Sequence, residues 1–537
     1  MQAKTGSDIV VATLETLGCG TVFGIPGIHN LDIYDALIGS SLRHVTARHE
    51  SGAGFMADGY GRRTGTPGVA LVITGPGLTN IATAMGEAFH DSVPMLVISS
   101  QLPRSVADQG TGYLHELRDS TLLARSVAKE SRRVPDAHLI AEYLTAAYAL
   151  STDGRPGPVH VEIPVDILQQ KVAPDAAGAS RAAASDPAGI DGLAEAIRET
   201  RAAGGTIAFV AGGGATAAAE QLHGLAEALD APVAQTLAGK GIIPDDHPLC
   251  LGTRLHTPAV QTLLSDTDLV IAVGTQLSLT DLWETPPTLG RRFAQINIDP
   301  ADLNRNYRAD IAVATSSTAA LEALLGRVTE GGAAARTAEQ RVADTIEAAT
   351  ADLPHVLGID AARFARMQRI FAAFRAALPQ DGVLVTDMTS PAYVGLSEYP
   401  ARAPRTFMHP VGYGTLGFAL PAAVGISVAE PGTPVCVLAG DGGFQFTMQE
   451  LGVAAQEELS LPIVIFNDAG YGEIRRTEDA RHPGTRIGVD LLTPDFVKLA
   501  ATYGIEGCRV AEPEELEREV RAALGRRGPT IIEMEDR

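Results

Sequence analysis

The stretch that decides the fold runs from Gly440 to Ile474 and reads GDGGFQFTMQELGVAAQEELSLPIVIFNDAGYGEI. It is entered from the apolar run of PVCVLAGDGG (434–443). A strand there delivers Asp441 between Gly440 and Gly442. A helix follows, and the second apolar run of LPIVIFNDAG (461–470) delivers Asn467 and Asp468. Two such strands leave their acidic groups on the same edge of one sheet. Glycines at 440, 442 and 443 let backbone N–H groups approach a phosphate. A carboxylate, a second side-chain oxygen and a free backbone carbonyl suit an octahedral hard cation that also takes diphosphate oxygens. Taken alone, the four residues GDGG are more often a plain tight turn. The second strand, ending in NDAGY at the right distance, favours the ligand site.

The same strand-then-glycine form recurs along the chain. VALVI (69–73) runs into TGPGLTN (74–80), and MLVIS (95–99) follows. TIAFVAGGG (206–214) and DLVIAVGT (268–275) repeat it further on. Ile140, Tyr143, Leu144 and Ala147 share one helical face. Strands buried on both faces and alternating with helices predict an α/β fold with doubly wound parallel sheets, whose ligands sit beyond the strand carboxyl ends. At 537 residues the chain is too long for one core. Ala/Gly-rich polar stretches near 173–189 and 326–340 read as linkers. They predict three domains, at 1–172, 190–327 and 359–537.

The formal charge of -22 disfavours nucleic acid and membrane surfaces as partners. A small anionic substrate would need a locally positive site, such as a bound metal or helix N-termini. Cys19, Cys250, Cys436 and Cys508 form no close pair and are expected as buried thiols in a reducing compartment. MQAKTGSDIV carries no secretory pattern, and no apolar run reaches membrane-spanning length. A cytoplasmic protein is expected.

VFGIPG (22–27), RHESGAGFMADGYGR (48–62), TGPGLTN, GRPGPVHVEIP (154–164), GTLGFALPAA (414–423) and the GDG region stand in this order. Together they resemble the thiamine diphosphate enzymes of the acetolactate synthase, pyruvate oxidase and pyruvate decarboxylase superfamily. The resemblance implies an N-terminal pyrimidine-binding domain, a middle domain and a C-terminal diphosphate-binding domain, with active sites at the interface of a homodimer or homotetramer. It implies Mg2+ on Asp441, Asp468 and the carbonyl of Gly470, with Gly440, Gly442, Gly443 and Tyr471 around the diphosphate. The family usually has Asn-Asn where this chain has Asn467-Asp468, so an extra negative charge lies beside the diphosphate.

The resemblance also assigns Glu50 to the cofactor's aminopyrimidine ring, where a carboxylate shares a proton with N1′. The carbonyl of Gly414 would hold the 4′-amino group, and Leu416 would prop the bent cofactor. His29 matches a histidine of benzaldehyde lyase-like enzymes. His115 falls where acetolactate synthase-like enzymes have an active-site Gln. Either could relay a proton. After carbon dioxide leaves, protonation, addition to an acceptor carbonyl or oxidation separates decarboxylase, carboligase and oxidase.

Acetolactate synthases usually carry a Trp shortly after the second strand, where this chain reads GYGEIRRTED. Its sole Trp is Trp283, in the middle domain. Ile28 replaces their second loop Gly and would face substrate. GIPGIHN, GYLHELRD and NDAGYGEIRR are most similar to 5-guanidino-2-oxopentanoate (2-ketoarginine) decarboxylases. Glu473 would then meet the substrate guanidinium, unless it pairs with Arg475 or Arg476 instead. The expected function is non-oxidative decarboxylation of a 2-oxo acid. The alternatives are an acetolactate synthase-like carboligase and a thiamine diphosphate-binding protein without catalysis, against which the retained Glu50 argues. Gly212, Gly213 and Gly214 are weak evidence for a nucleotide, and no FAD is expected.

Overall fold

The computed structural model of the protein describes residues 4–172, 186–282, 287–328 and 337–536. Its frame is three six-stranded sheets, parallel throughout. The N-terminal sheet orders its strands Arg43–Thr46, Thr21–Gly24, Gly68–Val72, Met95–Gln101, Pro158–Pro164 and Glu130–Arg133. The middle sheet runs Cys250–Gly252, Val233–Gln235, Ile207–Ala211, Leu269–Val273, Arg292–Asn297 and Ile311–Ala314. The C-terminal sheet runs Phe407–Met408, Val383–Thr386, Val435–Gly440, Pro462–Asn467, Thr530–Glu535 and Glu506–Val510. In each, the chain builds outward to one edge and then returns to build the other. This reversal opens a crevice beside the first strand.

Alternate residues of a strand serve different cores. Val435, Val437 and Ala439 face the core that holds Phe23, Val72 and Val97 of the N-terminal domain. Cys436 and Leu438 face a core with Phe371 and Phe374. The N- and C-terminal domains therefore share one apolar interior, while the middle domain has cores of its own. Helices Glu50–Thr64 and Ala419–Ala429 cross in that shared interior with their backbones in contact. A Cβ on Gly59 would lie 2.1 Å from the Ala422 carbonyl oxygen, and one on Gly425 1.9 Å from that of Met56. Phe418, fully buried beside the crossing, contributes roughly 1.5–3 kcal/mol by its removal from water.

The structure corrects two expectations. The linkers are shorter than their composition suggests. Helix Pro187–Ala202 starts inside the first, with Asp186 accepting the Gly189 N–H at 3.0 Å. Helices Ser317–Val328 and Ala338–Val356 enter the second from either side. The rest of both stretches, and Trp283, lie outside the described residues. Cys250 and Cys436 are buried as expected, but Cys19 and Cys508 are partly exposed. Cys508 lies on the edge strand Glu506–Val510, which has a neighbour on one side only.

Candidate active site

The C-terminal crevice lies between the ends of Val383–Thr386 and Val435–Gly440. Asp441 begins the helix Asp441–Thr447 there and is 1% exposed. Its carboxylate accepts the N–H of Gly470 at 3.0 Å and that of Asp468 at 3.3 Å. The neighbouring parallel strand Pro462–Asn467 delivers these residues, as the sequence predicts. Ala469, between them, has φ 56°, a left-handed conformation that costs energy for a residue with a Cβ. The turn is held by Asn467 Oδ1, which accepts the Ala469 N–H at 3.0 Å. Arg475 donates to the carbonyls of Asp468 (3.1 Å) and Ala469 (3.0 Å).

These residues fit a hard cation with a diphosphate. Burial, and then the Asp441 carboxylate beside it, push the Asp468 carboxyl up to about 7. A buried acid facing a half-buried one would be relieved by a divalent ion shared between them. Glycine lets the helix start and the second turn pack closely: a Cβ on Gly442 would lie 2.9 Å from the Tyr471 ring and 3.1 Å from the Gly470 carbonyl oxygen. The first-turn N–H groups of helix Asp441–Thr447 have no intrahelical partner. A Cβ on Gly440 would lie 2.8 Å from Thr389 Oγ1. Asp387, at the crevice floor, accepts the Gly417 N–H at 3.0 Å, and burial pushes it up to about 6.

The N-terminal crevice lies between the ends of Thr21–Gly24 and Gly68–Val72. Here the structure brings His29 and His115 together, edge to face with ring centroids 5.3 Å apart. His115 has φ 68°, and its carbonyl oxygen would lie 2.3 Å from a Cβ on Gly75. Neither Nδ1 has a hydrogen-bond partner. Burial and the adjacent imidazole lower His29 below the ordinary histidine range. Ile28 beside them is 66% exposed. Glu50 opens the helix Glu50–Thr64, half-buried, and its Oε2 accepts from Asn80 Nδ2 at 2.9 Å.

Gly414 takes φ 68°, and Leu416 beside it is half-buried. The loop carrying them is held by the N-terminal domain. Asp91 accepts the Val411 and Gly412 N–H groups at 3.0 and 2.7 Å, and Glu87 accepts that of Thr415 at 3.0 Å. Asn80 and Glu450 stood inside quoted motifs without a role. For Glu87 and Asp387 nothing local in the sequence marks the contact, since each is made across the fold.

Glu473 lines a cavity of about 380 Å³ together with Asp468, Tyr393, Arg475 and Arg476. Its carboxylate pairs with Arg476 and accepts from Ser390 Oγ at 3.4 Å. Arg476 also donates to the Leu357 carbonyl. In the middle domain, His223, Glu227 and His247 approach one another closely enough to suggest a metal. However, the Leu249 N–H donates to His247 Nδ1 at 3.2 Å. A neutral ring so bonded carries its proton on Nε2, toward Glu227, and offers no lone pair there.

Three family models match the chain: the N-terminal TPP binding domain of thiamine pyrophosphate enzymes at residues 4–122, their central domain at 190–324 and their C-terminal TPP binding domain at 390–534. The chain belongs to the thiamine pyrophosphate enzyme family. It is 42% identical to the probable 2-ketoarginine decarboxylase AruI of Pseudomonas aeruginosa, over 99% of this chain and 94% of that one. It is 33% identical to the acetolactate synthase isozyme 3 large subunit of Escherichia coli, over 98% and 93%. It is 30% identical to the probable acetolactate synthase large subunit of Methanocaldococcus jannaschii, over 98% and 91%. Among the described residues no helix is long and apolar enough to cross a membrane.

Proposed function

We propose that this chain is a magnesium- and thiamine diphosphate-dependent decarboxylase of 5-guanidino-2-oxopentanoate, releasing carbon dioxide and 4-guanidinobutanal. The observation that carries this reading is the 42% identity, over nearly the whole chain, to the probable 2-ketoarginine decarboxylase. Asp441, Asp468 and the Gly470 carbonyl would hold Mg2+, with the diphosphate against Gly442, Gly443 and Tyr471. Bound thiamine diphosphate supplies the nucleophilic carbon and the electron sink for decarboxylation. Glu50, steadied by Asn80, holds a proton against the pyrimidine ring. His29 and His115 stand on the same face of the domain to give or take the product's proton.

The site would be shared between two copies of the chain. Asn80, which holds Glu50, and Glu87, which holds the loop of Leu416, are seven residues apart on helix Pro76–His90. That is about 10 Å along the axis, two turns of the helix. Exposed apolar side chains flank both halves, including Tyr113 and Leu114 near His115 and Tyr413 and Phe446 near the glycine loops. A second copy would cover them.

Glu473 is the residue proposed to select the substrate. A substrate guanidinium would replace Arg476 at its carboxylate, leaving Arg476 on the Leu357 carbonyl. The test is carbon dioxide release from a panel of 2-oxo acids, with acceptor aldehydes present in parallel. Preference for the guanidino acid with an aldehyde product supports the reading. Acetolactate from pyruvate as the main product would sink it in favour of a carboligase. Glu473→Gln should raise KM for the guanidino acid about tenfold and leave turnover of uncharged 2-oxo acids intact.

A further inference from the structure

Two buried carboxylates cross between the N- and C-terminal domains in opposite directions. Glu450 reaches out of the C-terminal domain and accepts the N–H groups of Arg48 at 3.0 Å and His49 at 2.9 Å. These are the two residues before Glu50. Glu87 reaches out of the N-terminal domain, and its Oε2 accepts both the N–H (3.0 Å) and the hydroxyl (2.8 Å) of Thr415. Thr415 stands between Gly414 and Leu416. Both glutamates are fully buried. Gly52 is what admits the first, since a Cβ there would lie 2.3 Å from Glu450 Oε1.

A fully buried carboxylate is a costly way to satisfy a few backbone donors. The helix that Glu50 opens already has a local cap, because His49 Nδ1 accepts the Ser51 N–H at 3.1 Å. The reach from the other domain adds something a local cap cannot supply. It fixes the backbone before Glu50 relative to the C-terminal domain, and the Leu416 loop relative to the N-terminal domain. Both reaches end next to residues that the cofactor must meet.

We propose that Glu450 and Glu87 are positioning residues for the reaction, Glu450 aiming Glu50 and Glu87 seating the loop of Gly414 and Leu416. This rests on the cofactor reading above. Glu450→Asp keeps the charge and withdraws it by one methylene, while Gly52→Ala pushes on it from the opposite side. In the magnesium–thiamine diphosphate holoenzyme, each should slow hydrogen–deuterium exchange at the cofactor's C2 about tenfold or more, as expected when a reacting group is misplaced. Cofactor affinity by calorimetry should change less than about threefold, because the diphosphate site is untouched. Glu450→Gln can still accept both N–H groups through its carbonyl oxygen and should recover most of the exchange rate. Glu87→Asp should instead weaken calorimetric affinity about tenfold.

A merely structural role predicts a lower melting temperature in the cofactor-free variants, with exchange and affinity unchanged in the folded protein. That result would overturn the proposal. Glu50→Gln separates it from the reading beneath. Normal exchange in Glu50→Gln removes the role of Glu50 itself. Slow exchange there, with normal exchange in Glu450→Asp, removes only the positioning role. If Gly52→Ala does not fold, the contrast between Glu450→Asp and Glu450→Gln decides.

Discussion

The middle and C-terminal domains each set a glycine turn where their sheet reverses, and the two turns do opposite things. After Ile207–Ala211, the Gly212 N–H donates to the Val273 carbonyl at 2.9 Å and the Gly214 N–H to that of Gly274 at 3.0 Å. A Cβ on Gly212 would lie 2.4 Å from the Gly274 oxygen. These glycines let two parts of the same sheet touch. After Val435–Gly440, the glycines instead flank a buried carboxylate at the start of a helix that has no side-chain cap. Glycine tells how closely a backbone is approached. The acidic residues around it tell what approaches.

The contrast breaks most sharply at Asp441. Asp441→Ala should lower magnesium-dependent thiamine diphosphate affinity by about two orders of magnitude or more, since it removes one member of a desolvated charge cluster. Unchanged calorimetric binding would show that the cation sits elsewhere. The glycines themselves come next. Gly442→Ala would drive Tyr471 from its place and should weaken cofactor binding about tenfold at little cost in stability. Gly212→Ala should do the reverse, costing roughly 1–3 kcal/mol of stability while leaving affinity unchanged. If both variants lose affinity equally, the two turns are not functionally distinct.

A separate effect is in pH. Burial raises the folded Asp387 carboxyl from 3.8 to about 6. The folded state therefore holds that proton more tightly than the unfolded chain. The stability this supplies is present below about pH 4 and lost as pH rises through 6, by about 3 kcal/mol in all. Asp387→Asn, neutral throughout, should flatten that part of the stability profile in denaturant titrations of the cofactor-free protein at pH 4 and pH 8. An unchanged slope would mean that the carboxyl is not protonated in the folded state.

The fold was legible because strand patterns are local. Val435–Gly440 and Pro462–Asn467 pair in parallel as their apolar runs and intervening helix imply. Ile140, Leu144 and Ala147 are buried on one helical face. The meeting of Asp441 with the Asp468 turn was legible for the same reason, since both residues follow those strands directly. The meeting of His29 with His115 was not, because it depends on how the chain after Gln101 folds back over Gly75. Nor was the pairing of Glu473 with Arg476 decided by the sequence, because Arg475 was an equal candidate. The structure turns Arg475 instead to the carbonyls of Asp468 and Ala469. The linkers misled because the Pro-Ala-Gly that opens helix Pro187–Ala202 describes a loop and a helix start alike.

The glycine crossing of helices Glu50–Thr64 and Ala419–Ala429 also bears on how the chain is made. The first helix leaves the ribosome about 365 residues ahead of its partner. At about 5–20 residues per second, that leaves roughly 20–70 s between the two. Throughout that time the face meant for Ala422 and Ala423 is uncovered. The N-terminal domain is thus born with one of its two cores self-contained and the other open, and it closes the second only when the last third of the chain arrives.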